Sequence, residues 1–364
     1  MRSMKHLLYF SCVAWDTMQQ RPHFIAKELG KLGYRITYLV IGTKNTRRFC
    51  PEKNVSVVEV SMIRGYMRSF AVRIVSRLAL LFLLPQTRFD AVILTNPVQL
   101  NLIPQRWKKL PFFYDCMDLM TGFYQGKKKK LMEESERVLC NCARHILASS
   151  LPLKEYLEER YGTPAERITT VFNAADPEDC MKAEILPGVK HPALIYMGAV
   201  EWWVDLPLLK SFMDVEPVFH LYVVGDGNEE QKNLLSEIRN CHYLGKLPHK
   251  EALSYVKSAD VALMPFLPCP LIDNVDPIKL YEYLALGKPV VSSFWQSVER
   301  FSDNPRITFY FRKEEFPNAV KTAALQTEES LTAKEFLHEN SWSVRTKVFS
   351  SILEERIPEN SEII

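Results

Sequence analysis

The sequence predicts a two-domain α/β protein built on parallel sheets. Short, nearly continuous apolar runs alternate with amphipathic segments along the chain, the pattern of strands buried on both faces of a parallel sheet. The alternation breaks at ILPGVKHP (185–192) and then restarts, which splits the chain into two such halves. Composition agrees. A chain of 364 residues, 47% hydrophobic and 24% charged, can form two ordinary domains with cores and is not disordered.

HLLYFS (6–11) is the first expected strand. Residues 1–16 (MRSMKHLLYFSCVAWD) superficially resemble a secretory leader. The apolar stretch is short and lacks a small-x-small cleavage site, so a buried strand explains it better. QRPHFIAKELGKLG (20–33) is an amphipathic helix ended by Gly33, and RITYLVIG (35–42) is the next strand. FDAVILTN (89–96), PFFYDC (111–116) and HILASS (145–150) are further strands. The longest apolar run, LALLFLL at 78–84, is too short to span a bilayer. After the break come ALIYMG (193–198), FHLYVVGDG (219–227), CHYLG (241–245), VALMPF (261–266) and PVVSS (289–293).

The stretch NVDPIKLYEYLALGKPVVS (274–292) opens a helix between the last two of these. Asp276 is the expected N-cap and Pro277 the first helical residue; Gly287 stops the helix and Pro289 keeps it stopped. Lys279 then lies at the positive end of the helix dipole, which costs a solvated cation on the order of 0.3 kcal/mol. A bound anion would turn that cost into a gain, because helix starts bind phosphate. Glu282 follows three residues later on the same face. The helix follows a strand, so both residues sit at a strand's carboxyl end, where open α/β sheets bind ligands. Gly198 ends one strand, and Gly225, Asp226 and Gly227 make a GxG turn after another.

Net charge is only +3, but it is unevenly spread. Residues 1–90 carry 15 Lys/Arg against 5 Asp/Glu, and residues 181–364 carry 19 against 26. No nucleic-acid motif accompanies the basic front, so an anionic membrane or substrate is the expected partner rather than nucleic acid. The segment RGYMRSFAVRIVSRLALLFLL (64–84) is apolar with arginines at 64, 68, 73 and 77. It reads either as a core helix with a basic edge or as a membrane-surface helix. KKKK (127–130) reads as a solvated helix start.

Eight scattered cysteines without a CxxC suggest reduced thiols and a cytoplasmic setting. Cys140, Cys142 and His145 are spaced wrongly for one helical face, so no metal site is expected there. His23, His145, His242 and His249 read as structural histidines.

DPIKLYEYLALGKPVV (276–291) resembles the C-terminal signature of family 4-type glycosyltransferases with the GT-B fold, of a bacterial surface-polysaccharide subgroup. WDTMQQRPHFIAKELGKLGYRITYLV (15–40), FFYDCMD (112–118), ITTVFNAAD (168–176), ALIYMGAVEWWVD (193–205) and YLGKLPHKEALSYVKSADVALMPF (243–266) resemble the family in the same order. The resemblance implies two facing Rossmann-like domains with a cleft between them. Residues 1–185 would form the acceptor side, joined by a C-terminal helix (341–364) that crosses back, and residues 186–340 would bind the nucleotide sugar. It also implies transfer from a nucleotide-diphosphate sugar, UDP favoured over GDP, to a saccharide or lipid-linked saccharide. Retention, no metal and no other cofactor are expected. By the same resemblance Lys279 meets the diphosphate and Glu282 the ribose hydroxyls. Asn274, Asp276, Gly198, Gly225, Asp226 and Gly227 line the donor site. Trp202, with Trp203, stacks on the sugar, and Asp115 or Asp118 faces the reacting centre.

The sequence departs from the family in two places. Asn274 stands where many members have a second acid, and an amide cannot stabilise positive charge as a carboxylate does. The Arg and Lys that often follow the glycine of the second domain's first strand are missing from AVEWWVD (199–205). Two other functions therefore stay open: a nucleotide-sugar epimerase of the same architecture, and a non-catalytic nucleotide-sugar-binding partner of a polysaccharide assembly complex.

Overall fold

The computed structural model describes residues 4–61, 70–84, 88–326 and 332–358. The chain forms two compact units: Met1–Phe172 with Trp342–Ile364, and Asn173–Ser341.

The first unit holds an eight-stranded sheet ordered β3-β4-β2-β1-β5-β6-β7-β8. Its strands are β1 (His6–Ser11), β2 (Arg35–Ile41), β3 (Arg47–Glu52), β4 (Val55–Val60), β5 (Ala91–Leu94), β6 (Phe112–Cys116), β7 (His145–Ala148) and β8 (Ile168–Thr170). Seven run parallel, and only the edge strand β3 pairs antiparallel, with β4. β1 is central, with Leu7, Leu8, Tyr9 and Phe10 at most 1% exposed, so 6–11 is the buried strand its apolar run predicts.

The helix Arg21–Lys31 starts with a capping box between Gln20 and His23. It packs against the last described helix, Trp342–Arg356. Phe24 stacks on Trp342 with ring centroids 5.0 Å apart, and the Tyr34 hydroxyl lies 3.0 Å from Ser350 Oγ. The chain thus returns to its first unit after completing the second. The apolar segment expected over 64–84 contains the helix Phe70–Leu83; Arg64 and Arg68 lie outside the described residues.

The second unit is a six-stranded, fully parallel sheet ordered β11-β10-β9-β12-β13-β14. Its strands are β9 (Ala193–Met197), β10 (His220–Val224), β11 (Cys241–Gly245), β12 (Val261–Met264), β13 (Val290–Ser293) and β14 (Ile307–Tyr310). Residues 173–185, expected in the first domain, fold with the second unit. Glu184 and Leu186 donate backbone N–H groups to Ser254 and Ser258, and Lys257 Nζ donates to Ala183 O. The connecting segment therefore lies on the helix His249–Ser258.

Candidate functional site

Strand order reverses between β9 and β12, which makes their carboxyl ends the switch point of the second sheet. Gly198 follows β9 with φ +137°, and Gly225 follows β10 with φ +146°. Both values favour glycine, and space excludes anything larger. A Cβ on Gly225 would lie 1.8 Å from the carbonyl oxygen of Gly198, and one on Gly198 would lie 2.5 Å from Lys279 Nζ. The two turns close on each other, and Lys279 fills the remaining space. Gly227 is less tight, a Cβ there lying 2.9 Å from Val200 O.

The helix carrying Lys279 spans Ile278–Ala285. Pro277, not Asp276, occupies the N-cap position, and no side chain caps the start. Asp276 looks elsewhere because stronger partners surround it. Its buried carboxylate accepts from the Asn173 backbone N–H at 2.6 Å, the Tyr281 hydroxyl at 2.8 Å and Arg300 at 3.2 Å. That engagement makes Asp276 a structural anchor rather than an open ligand. Gly287, at φ +70°, ends the helix as expected, and the Tyr283 hydroxyl accepts from Met197 N–H, pinning the helix to β9.

Lys279 Nζ donates to the Tyr196 hydroxyl at 3.1 Å, and Tyr196 donates onward to Ala199 O at 2.7 Å. The ammonium lies 4.3 Å from the Tyr196 ring centroid and 4.8 Å from that of Phe266, within cation–π range. The side chain keeps some accessible surface, yet crowding by protein atoms removes most water from the ammonium. That desolvation lowers its pKa to about 7, with the Glu282 charge opposing.

Glu282 is 3% exposed. Its Oε1 lies 2.6 Å from His249 Nε2, and His249 Nδ1 lies 2.7 Å from Asp179 Oδ2. Oε2 makes no hydrogen bond to another described residue. Neither His249 nor Asp179 announces itself in the sequence, since the three residues come from three separate helices. Tyr196 is likewise legible only as a strand residue.

The other expected donor residues have partners of their own. Asn274 donates its amide to Pro270 O at 2.7 Å, serving the short helix Pro270–Asp273. Asp226 is exposed, accepts from its neighbour Gly227 N–H and lies 3.6 Å from Lys232. Trp202 is 54% exposed and sits edge-on to Trp203 at 5.5 Å.

The two aspartates in the first unit differ in environment. Asp115, on β6, is fully buried and accepts from Arg21 Nε at 2.8 Å and Tyr9 Oη at 2.5 Å. It is an internal ion pair, and Arg21 also donates to Val171 O. Asp118 lies two residues past the strand end and is half-buried, and its carboxylate makes no hydrogen bond to another described residue. Burial pushes its pKa up to about 7; Arg21 opposes and Asp115 adds to the rise. Asp118 can therefore exchange a proton near neutral pH. Among the described residues, no group of three or more His, Cys, Asp or Glu side chains gathers as metal ligands would.

Two parallel-sheet units, with a lysine and a glutamate at the second sheet's switch point, have the architecture of the GT-B fold. Residues 22–179 match the model of Glycosyltransferase Family 4, and residues 191–327 match that of Glycosyl transferases group 1; the chain belongs to the family 4 type of glycosyltransferases. A Bacillus subtilis protein named as a teichuronic acid biosynthesis glycosyltransferase, TuaH, is 26% identical over 197 residues. That match takes in 50% of this chain and 49% of TuaH, so it spans about half the length of that relative. HepE of Anabaena, solved with UDP and glucose, superposes with TM-score 0.67 at 12% identity, over 96% of this chain and 100% of HepE. A trehalose-6-phosphate protein of E. coli, bound with UDP-2-fluoro glucose, gives 0.67 at 12%, over 97% of this chain and 100% of the other. The lipopolysaccharide outer core galactosyltransferase WaaB gives 0.61 at 14%, over 97% and 99%. At these identities the solved structures show the fold.

Proposed function

We propose that the protein transfers a hexosyl group from a nucleoside-diphosphate donor, UDP-linked by preference, to a saccharide or lipid-linked saccharide in surface-polysaccharide synthesis. One observation carries the donor reading. A lysine, low in pKa and held against two close-packed glycine turns, stands in the first turn of a helix with no side-chain cap. Amide N–H groups and a cation converge there, an arrangement suited to diphosphate. Glu282 lies one turn along the same face with an oxygen open to vicinal hydroxyls. UDP and UDP-sugar in HepE and the E. coli protein favour the same class of donor, and TuaH favours a polysaccharide product.

In this reading Lys279 and the helix start stabilise charge gathering on the leaving diphosphate as the bond to the sugar breaks. The leaving phosphate takes the acceptor's proton in a retaining transfer, and Asp118 serves the acceptor side with a carboxylate poised near neutrality. Asp115 holds Arg21 in place. No metal is needed for these roles.

Part of the acceptor reading rests on the helix Phe70–Leu83. Its outward face is apolar throughout: Ile74, Val75, Leu78 and Phe82 are 40%, 51%, 50% and 81% exposed, and Ala71 is exposed beside them. Arg77 ties this helix to Asn101 O, and Asn101 in turn ties to Ser135 of the helix Gly126–Cys142. That second helix opens on Lys127–Lys130, all exposed, with no acid and no side-chain cap in its first turn. An exposed apolar helix face and an exposed cationic helix start in one unit fit an anionic membrane, where a lipid-linked acceptor resides. Among the described residues no helix is long and apolar enough to cross a membrane; in this reading the contact is peripheral and on the cytoplasmic side.

The direct test is a thermal-shift screen of UDP-, GDP-, ADP- and CDP-sugars, followed by nucleotide release with and without saccharide acceptors. Stabilisation by a UDP-sugar with acceptor-dependent UDP release is the expected result. An epimerised sugar from donor alone, or binding without turnover, would replace transfer by one of the two other readings.

A further inference from the structure

Asp179, His249 and Glu282 form one hydrogen-bonded row inside the second unit. Both ring nitrogens of His249 face carboxylate oxygens, at 2.7 Å and 2.6 Å. Carboxylates accept and do not donate, so both nitrogens carry protons and the ring is an imidazolium. Burial works against that charge, but Glu282 and Asp179 outweigh it and raise the pKa to about 10. The three side chains keep only 25%, 11% and 4% of their surface. Glu282 has three rotatable bonds, and a loose carboxylate cannot present a fixed oxygen to two vicinal hydroxyls without an entropic cost on binding. It would also add an uncompensated negative charge beside a diphosphate. The row answers both problems: Oε1 is held by a cation, and Oε2 makes no hydrogen bond to another described residue.

We propose that His249, itself oriented by Asp179, is a positioning residue that fixes Glu282 as the clamp for the nucleoside's vicinal diol. This rests on the reading that Glu282 meets the ribose. Asp179 belongs to the segment that leads from the first unit into the second, so a residue outside the strand-and-helix core of the sheet sets the donor's grip. Lost orientation weakens binding through the diol alone, whereas a merely architectural row weakens every ligand alike.

The test is calorimetric titration of UDP, GDP, ADP and CDP, keeping the tightest, then of its 2′,3′-dideoxy form. Wild type, His249→Gln, Asp179→Asn and Glu282→Gln are compared, with melting temperature recorded for each. His249→Gln should weaken the ribonucleotide about tenfold, the scale of one charge-assisted hydrogen bond. Asp179→Asn, at a partly exposed position that tolerates change, should weaken it roughly threefold. Both should alter dideoxynucleotide binding less than twofold. If Glu282→Gln discriminates between the two ligands and the His249 and Asp179 variants do not, the positioning role is wrong and the ribose reading stands. If Glu282→Gln fails to discriminate, or no nucleotide binds wild type, the ribose reading falls and the positioning role with it.

Discussion

In the proposed reading, Lys279 has two jobs at the residue scale that pull against each other. Without an anion, its ammonium rests on Tyr196 and Phe266 and is easily deprotonated, with a pKa of about 7. A diphosphate favours the charged form, so binding should draw the pKa back up. Below pH 7 the lysine is already protonated and affinity is flat. Above pH 7 each binding event takes up a proton, and affinity falls as pH rises. Titrations at pH 8 in two buffers of different ionisation enthalpy should show uptake close to one proton in wild type and near zero in Lys279→Met. Equal uptake in both would assign the proton elsewhere. Gly198→Ala tests the same corner: the left-handed backbone costs a side chain about 1–3 kcal/mol, and the new methyl meets Lys279 Nζ. The variant should melt lower and bind donor more weakly, whereas unchanged binding would separate Gly198 from the site. Lys279, Glu282 and these glycines were legible because their chemistry is local: a cation in a first helical turn, glycines at strand ends. Asp276 was legible as an N-cap, but its carboxylate serves Asn173, Tyr281 and Arg300, and long-range partners outweigh one capping bond. Asn274 donates its amide to Pro270 O in its own short helix, a contact that its place in the sequence does not announce. His249 shows nothing in sequence, because its two partners lie 70 and 33 residues away.

Most of the legible elements were buried ones. β1, β2 and the strands at 91–94, 112–116, 145–148 and 261–264 are apolar runs because both faces are covered. The edge strands β3, β8 and β14 escaped notice, as did the interior strand β4, whereas the edge strand β11 was read from CHYLG. β3 is RRFCPE, exposed and partly buried in alternation, with a proline that only an edge tolerates. β14 is short and only half covered, so it has no continuous apolar signature. The last helix was expected to return to the first domain, and the structure supplies the contact in the Phe24–Trp342 stack, with Trp342 1% exposed. Trp342→Ala should cost about 3–5 kcal/mol, the usual price of emptying a buried aromatic site. Chemical denaturation should show the first unit losing stability, with Phe24 left facing a void. A change below about 1 kcal/mol would mean the helix does not hold that unit together.

Over the whole molecule, charge divides as the fold does. Residues 1–172 and 342–364 carry 30 Lys/Arg against 18 Asp/Glu, net +12, and residues 173–341 carry 16 against 25, net −9. The basic unit bears the apolar outer face of Phe70–Leu83. It should bind anionic vesicles in preference to neutral ones, each nearby basic residue contributing about 1 kcal/mol and salt weakening the interaction. Leu78→Ser with Phe82→Ser should lower vesicle affinity while leaving nucleotide binding unchanged; equal affinity for neutral and anionic vesicles would remove the membrane from the account. The acidic unit bears the proposed donor site, so attraction of a diphosphate falls to local groups such as Lys279 rather than to a general positive field. No Arg or Lys in 199–205 stands by to replace Lys279. The central claim is therefore tested by the turnover of Lys279→Ala with the nucleotide sugar that wild type uses. Loss of a contact strengthened in the transition state should lower kcat by roughly 10²–10³, with donor KM moving far less. A kcat within twofold of wild type would show that the lysine in the first turn never meets the leaving diphosphate.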